Sequence, residues 1–322
     1  MTYINLQEDK IDNLEDLEFL PKTIDLSDNF EGEEITLFQY TSSSGLKGMI
    51  EKHELWATNL AFMNDHKEMK YCLEIFDKIL SSKLDQYQGN DDYNLNDFLQ
   101  KLLKVVREKD TTCIYARCFT TKKDDLSQWR GYGNYSIGFN AKDLVIHSFT
   151  YTEQTKNLPL YLYKIIYDKI AQETMVDQMV EGIIDEYRKL SCRRKSVLGL
   201  ENLDLIHTES IMNKIITDIF VNNLEKFIVC FKHQGFQEEE EIRLVYFDFL
   251  NTLPIEFRQS GEVFVPYVKL THKCQKLPFK EIDVSPIFKD DFNRIETGLR
   301  LLLEKHKYFN IKINPSLIPY RH

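Results

Sequence analysis

The chain has 322 residues, with 41 Lys+Arg against 51 Asp+Glu, a formal charge of −10, and 43% hydrophobic and 12% aromatic residues. These values exclude a disordered or collagen-like chain, and the acidic balance argues against sequence-independent duplex binding, which runs on surplus Lys and Arg. Apolar runs such as 227–231 fall far short of the roughly 20 residues a bilayer helix needs, and Met1–Leu6 has neither a basic n-region nor an apolar h-region, so the sequence reads as cytoplasmic, with no membrane partner.

Residues 1–33 hold ten acidic side chains and two lysines, with Ile11, Leu14, Leu17 and Leu20 at helical spacing, which reads as an acidic arm ahead of a single domain over 34–322. A strand is expected at 35–40. Ser42-Ser-Ser-Gly then opens a helix carrying Leu46, Met49 and Ile50. Leu55–Thr58 is a second strand. Asn64-Asp65 opens a long helix with Met69, Cys72, Leu73, Phe76, Ile79 and Leu80 on one face. After a loop at 86–94, Phe98, Leu99, Leu102, Leu103 and Val106 mark another helix, and 112–119 a strand. The block Ser127-Gln-Trp-Arg-Gly-Tyr-Gly133 reads as a glycine-bracketed turn, followed by strands at 135–139 and 159–167. Helical periodicity takes over from about 168 to 230, as an insertion between halves of a sheet. Strands return at 241–249, 262–270 and 279–284, and a helix follows at about 290–306. No repeat appears, and the class is α+β with a mixed or antiparallel sheet.

Four constellations carry candidate chemistry. If 239–247 is extended, Glu239, Glu241 and Arg243 share one face, with the carboxylates about 7 Å apart; such a group can orient a sugar hydroxyl and stabilise a cationic transition state. The alternative is an acidic turn running into a core strand, with a structural Glu–Arg pair. Ser127, Trp129 and Tyr132 can hold a planar ring and its polar edges, or form a packed turn with Trp129 in the core and Arg130 paired to Asp124 or Asp125. Phe38-Gln-Tyr-Thr-Ser42 ends a strand before a helix N-terminus, where a phosphate or ribose can sit or where Ser42 or Ser43 only caps. The cations 188, 189 and 193–195 suit a helix C-terminus or a phosphate-bearing partner. The six cysteines include no CxxC, and His272-x-Cys274 lacks a second pair, so no metal centre is expected. GxxxxGK, GxGxxG, HExxH and GxSxG are absent, against a P-loop ATPase, a Rossmann dehydrogenase, a zincin or an α/β-hydrolase.

In order along the chain, Phe38-Gln-Tyr-Thr-Ser42, Leu55–Thr58, Asn64-Asp65, Leu126–Tyr132, Gly138-Phe139, Glu239–Arg243 and Ser316–Arg321 resemble an uncharacterised bacterial family of unknown function, over about 35–321. That family is similar in layout to ADP-ribosyltransferases. The resemblance implies a split sheet with a helical insertion, NAD as substrate, and Glu241, or else Glu239, as the carboxylate on a ribose hydroxyl. It further implies Gln39, Tyr40 and Thr41 near the adenosine-side ribose, and Trp129 or Tyr132 against nicotinamide, with Ser127 and Arg243 completing the pocket. Gln39 departs from the pattern, standing where His or Arg is expected and supplying no charge. The implied function is ADP-ribosyl transfer to a macromolecular acceptor, as a toxin or phage-defence effector. The alternatives are a non-catalytic nucleotide-binding or phage-sensing module and a metal-dependent nucleic-acid-processing enzyme.

Overall fold

The computed structural model describes residues 35–63, 68–87, 93–144, 149–150, 160–192, 205–248 and 253–319. The acidic arm, Asn64-Asp65 and the basic residues 193–195 lie outside them.

Two compact units are built from interleaved stretches of chain. Within the sheet unit, β1 (Thr36–Thr41) leads into α1 (Ser43–Lys52), whose N-cap is Ser42: its side chain accepts the Gly45 N–H at 3.2 Å. The helix stops at His53 in the left-handed region, which turns the chain into β2 (Glu54–Asn59). The helical unit contains most of α2 (Glu68–Tyr87) and α3 (Tyr93–Arg107), so residues 86–87 and 93–94 of the expected loop are helical. The sheet unit resumes with β3 (Ile114–Thr120), α4 (Leu126–Tyr132), β4 (Tyr135–Asn140), β5 (Phe149–Thr150) and β6 (Leu160–Lys164). Two long helices follow, α5 (Lys169–Cys192) and α6 (Leu205–Cys230), and the helical unit holds α5 and α6 as far as Phe227. Phe76 there packs edge-on to Phe220 and Phe227, Phe98 stacks on Tyr187 at 4.3 Å, and Lys83 pairs with Asp177 and Glu181.

The chain returns to the sheet through a 3-10 turn at Gln234–Glu239, then β7 (Glu241–Phe247), β8 (Glu256–Ser260), β9 (Val263–His272), β10 (Phe279–Val284), α7 (Phe292–Lys305) and β11 (Lys312–Pro315). The sheet is mixed and mostly antiparallel; among its named ladders only β10 with β11 is parallel. The class is therefore α+β. One path runs β11-β10-β4-β1-β3-β2-β9-β5, with β7 and β6 continuing from β3 and β8 from β9.

The arrangement around β3 positions the site. β7 pairs with β3 along its whole length, from Ile114↔Phe247 to Thr120↔Glu241. Two other strands also bond β3, each at one end: β2 at Tyr115 and Ala116, and β1 at Thr120. Arg117, Cys118 and Phe119 have no partner in either ladder, and a cavity lies against this stretch. One apolar core of the unit joins Leu37, Ile50, Leu55, Tyr115, Ile137, Phe139, Leu244 and Leu270. A smaller cluster joins Phe38, Tyr40 and Trp129.

Candidate functional site

The cavity measures about 680 Å³ and is lined by the end of β1, the start of α1, β2, β3, α4 and the chain entering β7. Such a volume falls in the range of ligand pockets, ~300–1,000 Å³. Gln39, Tyr40, Thr41, Tyr132, Glu239 and Glu241 all contribute to the wall. Ser127, Trp129 and Arg243 do not.

Glu241 is the first residue of β7, and its carboxylate is held on both oxygens. Oε1 accepts from Arg243 Nε at 2.7 Å, while Oε2 accepts from Lys232 Nζ at 2.8 Å and Arg243 Nη2 at 3.2 Å. Arg243 reaches it because residues two apart on a strand share a face. The Cys118 thiol, whose residue pairs with Arg243 across the ladder, bonds the same carboxylate. The Glu241 N–H donates to the Tyr167 hydroxyl at 2.9 Å. Burial works against the ionised form here, but the two cations outweigh it and hold the Glu241 carboxyl down at about 2. Glu241 is thus a fixed anion at neutral pH. For Cys118, burial first and the Glu241 charge second push the thiol well up, so it is neutral and is not a thiolate nucleophile.

Glu239 reaches this group by a different route from the one expected. The segment is not extended from Glu239: that residue closes the 3-10 turn, and Glu240 adopts a left-handed conformation before the strand begins. Alternation therefore does not align Glu239 with Glu241. Lys232 joins them instead, bonding Glu239 Oε2 at 2.6 Å, while Tyr132 donates to Glu239 Oε1 at 2.7 Å and the Thr120 hydroxyl to the Glu239 carbonyl at 2.7 Å. Arg243 is fully enclosed, with Nη1 on the Val229 carbonyl at 3.2 Å, and acts through Glu241 without facing the cavity.

Leu126–Tyr132 is a helix ending at Gly133, where the 127–133 block was expected to be a turn. Asp125 caps it by accepting the N–H groups of Ser127 and Gln128, and it also holds the exposed Ser127 hydroxyl. Trp129 is buried edge-on to Tyr40 at 4.7 Å, with its indole N–H on Asp124 at 2.9 Å. Asp124 also bonds Ser316 and the Leu317 N–H, which ties the C-terminal motif to this block. Arg130 is exposed and takes neither aspartate. Tyr40, pushed up to about 12 by burial, accepts the Asp125 N–H and donates to the Lys122 carbonyl.

Gln39 is buried, and its Oε1 has no hydrogen-bond partner among the described residues. Orphaned buried acceptors are uncommon in folded proteins, and this one belongs to a cavity residue. Lys232, Arg117, Cys118 and Trp56 also line the cavity, and sequence reasoning assigned them no role there. For Arg117 the signal was a cation inside the otherwise apolar run Ile114-Tyr-Ala-Arg-Cys-Phe119.

Among the described residues no helix is long and apolar enough to cross a membrane, and no group of three or more His, Cys, Asp or Glu is placed to hold a metal ion. A protein family of unknown function, DUF2971, matches residues 128–244, from α4 to the Glu241–Arg243 strand. No curated protein and no solved structure matches the chain.

Proposed function

We propose that the cavity binds NAD and that the protein transfers ADP-ribose to a macromolecular acceptor, acting as a toxin or phage-defence effector. The observation that carries this reading is Glu241: an ionised carboxylate at the head of a strand, on the wall of a nucleotide-sized cavity shared with Gln39, Tyr40 and Thr41. A carboxylate has about four lone-pair sites. Arg243 and Lys232 donate three hydrogen bonds to Glu241 and the Cys118 thiol a fourth, so a ribose hydroxyl binds this carboxylate by displacing the weak thiol donor. In the reaction the nicotinamide C–N bond breaks with its electron pair on nitrogen, leaving an oxocarbenium-like sugar that the fixed negative charge stabilises. The acceptor's nucleophilic atom then bonds the anomeric carbon and gives up its proton.

The test is nicotinamide release from NAD with host-cell extract. Glu241→Gln is expected to lower turnover by about 10²–10⁴-fold, with circular dichroism confirming the fold; undiminished release removes Glu241 from the mechanism. A second reading, a nucleotide-binding or phage-sensing module without turnover, is favoured by the close hold of Arg243 and Lys232 on Glu241, whose side chain is only 5% exposed. NAD binding by wild type with no nicotinamide release would select it.

A further inference from the structure

Two arginines on the cavity wall lack a counter-charge. Arg117, on β3, has its Nε buried with no partner among the described residues, and its one hydrogen bond is a long one, Nη1 to the Trp56 carbonyl at 3.4 Å. Arg258, on β8, lines the same cavity, is exposed, and makes no ion pair among the described residues. Burial, then the like charge of Arg258, draws the Arg117 guanidinium down to about 10, so it remains a cation at neutral pH.

The other lysine or arginine of this wall, Lys232, is matched by Glu239 and Glu241, and Glu241 also engages Arg243 behind the wall, so those two carboxylates are already engaged. Glu54, the remaining carboxylate on the wall, accepts from the Trp56 indole at 3.4 Å. An unpaired guanidinium withdrawn from water is unfavourable unless something supplies oxyanions to it. Here Arg258, exposed to solvent, lines the same space from another strand, and its like charge bears on Arg117. That arrangement raises the energy of the empty protein and lowers that of an anion complex.

We propose that Arg117 and Arg258 form an anion subsite of the cavity that takes the phosphate oxygens of a nucleotide, which deepens the nucleotide reading above and rests on it. The guanidinium fork matches a phosphate in geometry and carries charge at any physiological pH. Two cations suit a diphosphate better than a single carboxylate. Gln39, on the adjoining β1, is neutral, so the positive charge of this part of the wall comes from β3. Arg117 is then a substrate-binding residue, and Gln39 Oε1 is left to accept from a hydroxyl.

The experiment is calorimetric titration of the full chain with inorganic diphosphate, comparing wild type with Arg117→Gln, Arg117→Lys and Arg258→Gln. Wild type is expected to bind. Arg117→Gln weakens binding by about tenfold or more, Arg258→Gln by less, and Arg117→Lys lies between, because it keeps the charge and loses the fork. The ligand-free Tm of Arg117→Gln is expected to equal or exceed that of wild type, since a partly buried charge with no counter-ion has been removed. No binding by wild type overturns the subsite. So does equal affinity in Arg117→Gln, whatever its Tm. Should Arg117→Gln fail to fold, the exposed Arg258 decides: unchanged affinity in Arg258→Gln overturns the proposal. Nicotinamide release is followed in parallel. Arg117-dependent diphosphate binding without any release sinks the transferase reading alone, and release indifferent to Arg117 sinks the subsite alone.

Discussion

Three hydrogen bonds from Arg243 and Lys232 converge on the Glu241 carboxylate, and this has a consequence in acid. An ordinary glutamate titrates near 4.5 and Glu241 at about 2 in the folded chain, so the unfolded state takes up the proton first as pH falls. The stabilisation is therefore complete above about pH 4.5 and is lost as pH drops through about 2; it amounts to roughly 3 kcal/mol at neutral pH. Urea denaturation at pH 6 and pH 3 is expected to give a larger loss of stability in wild type than in Glu241→Gln, which has no carboxyl to protonate. Gly133 offers a second residue-scale expectation. Its φ of 133° disfavours any side chain, and a Cβ there would sit 2.4 Å from the backbone C and O of Thr41. Gly133→Ala is expected to cost about 2–4 kcal/mol by urea denaturation and to disturb the cavity through Thr41. At this scale the sequence was partly legible. Glu241 and Arg243 stand two apart on a strand, and local alternation finds such a pair. Lys232, which approaches from the turn ahead of β7, and Tyr167, from beyond β6, are brought in by tertiary folding, which no local period encodes.

α4 shows how local propensity is overruled. Two glycines within three residues argued for a turn, yet the Asp125 cap and the burial of Trp129 against Phe38 and Tyr40 hold seven residues helical. Asp125→Ala is expected to lose about 1–2 kcal/mol by thermal denaturation, because two backbone N–H groups lose their acceptor. Gly131→Ala runs the other way. A Cβ there meets nothing within 4 Å, so better helix propensity is expected to add roughly 0.5–1 kcal/mol in the same assay. The missed strands also have a physical reason. β8, Glu-Phe-Arg-Gln-Ser, pairs among the described residues only with β9 and is largely exposed, so it needs little of the apolar alternation by which strands are recognised. β11 is four residues long and pairs, among the described residues, only with β10.

For the whole molecule, the α+β class and the mixed sheet followed from the change of hydrophobic period along the chain. The composition of the helical unit did not, because its helices come from two separate stretches, 73–108 and 169–227, and a linear reading recognises only the second as an insertion. The cavity was not legible either. It lies beside a stretch of β3 that neither β1 nor β2 pairs, and pairing is a property of the assembled sheet. The same strand bears on how the protein is made. β3 emerges from the ribosome early, but its full-length partner β7 is synthesised only after α5 and α6. Pairings so distant in sequence form slowly, because the loop must close before any ladder bond compensates for it. During translation the β3 edge that will meet Glu241 has no native partner, so neither the carboxylate nor the cavity wall it completes exists in the nascent chain. Any function built on that wall arises only once synthesis has passed β7.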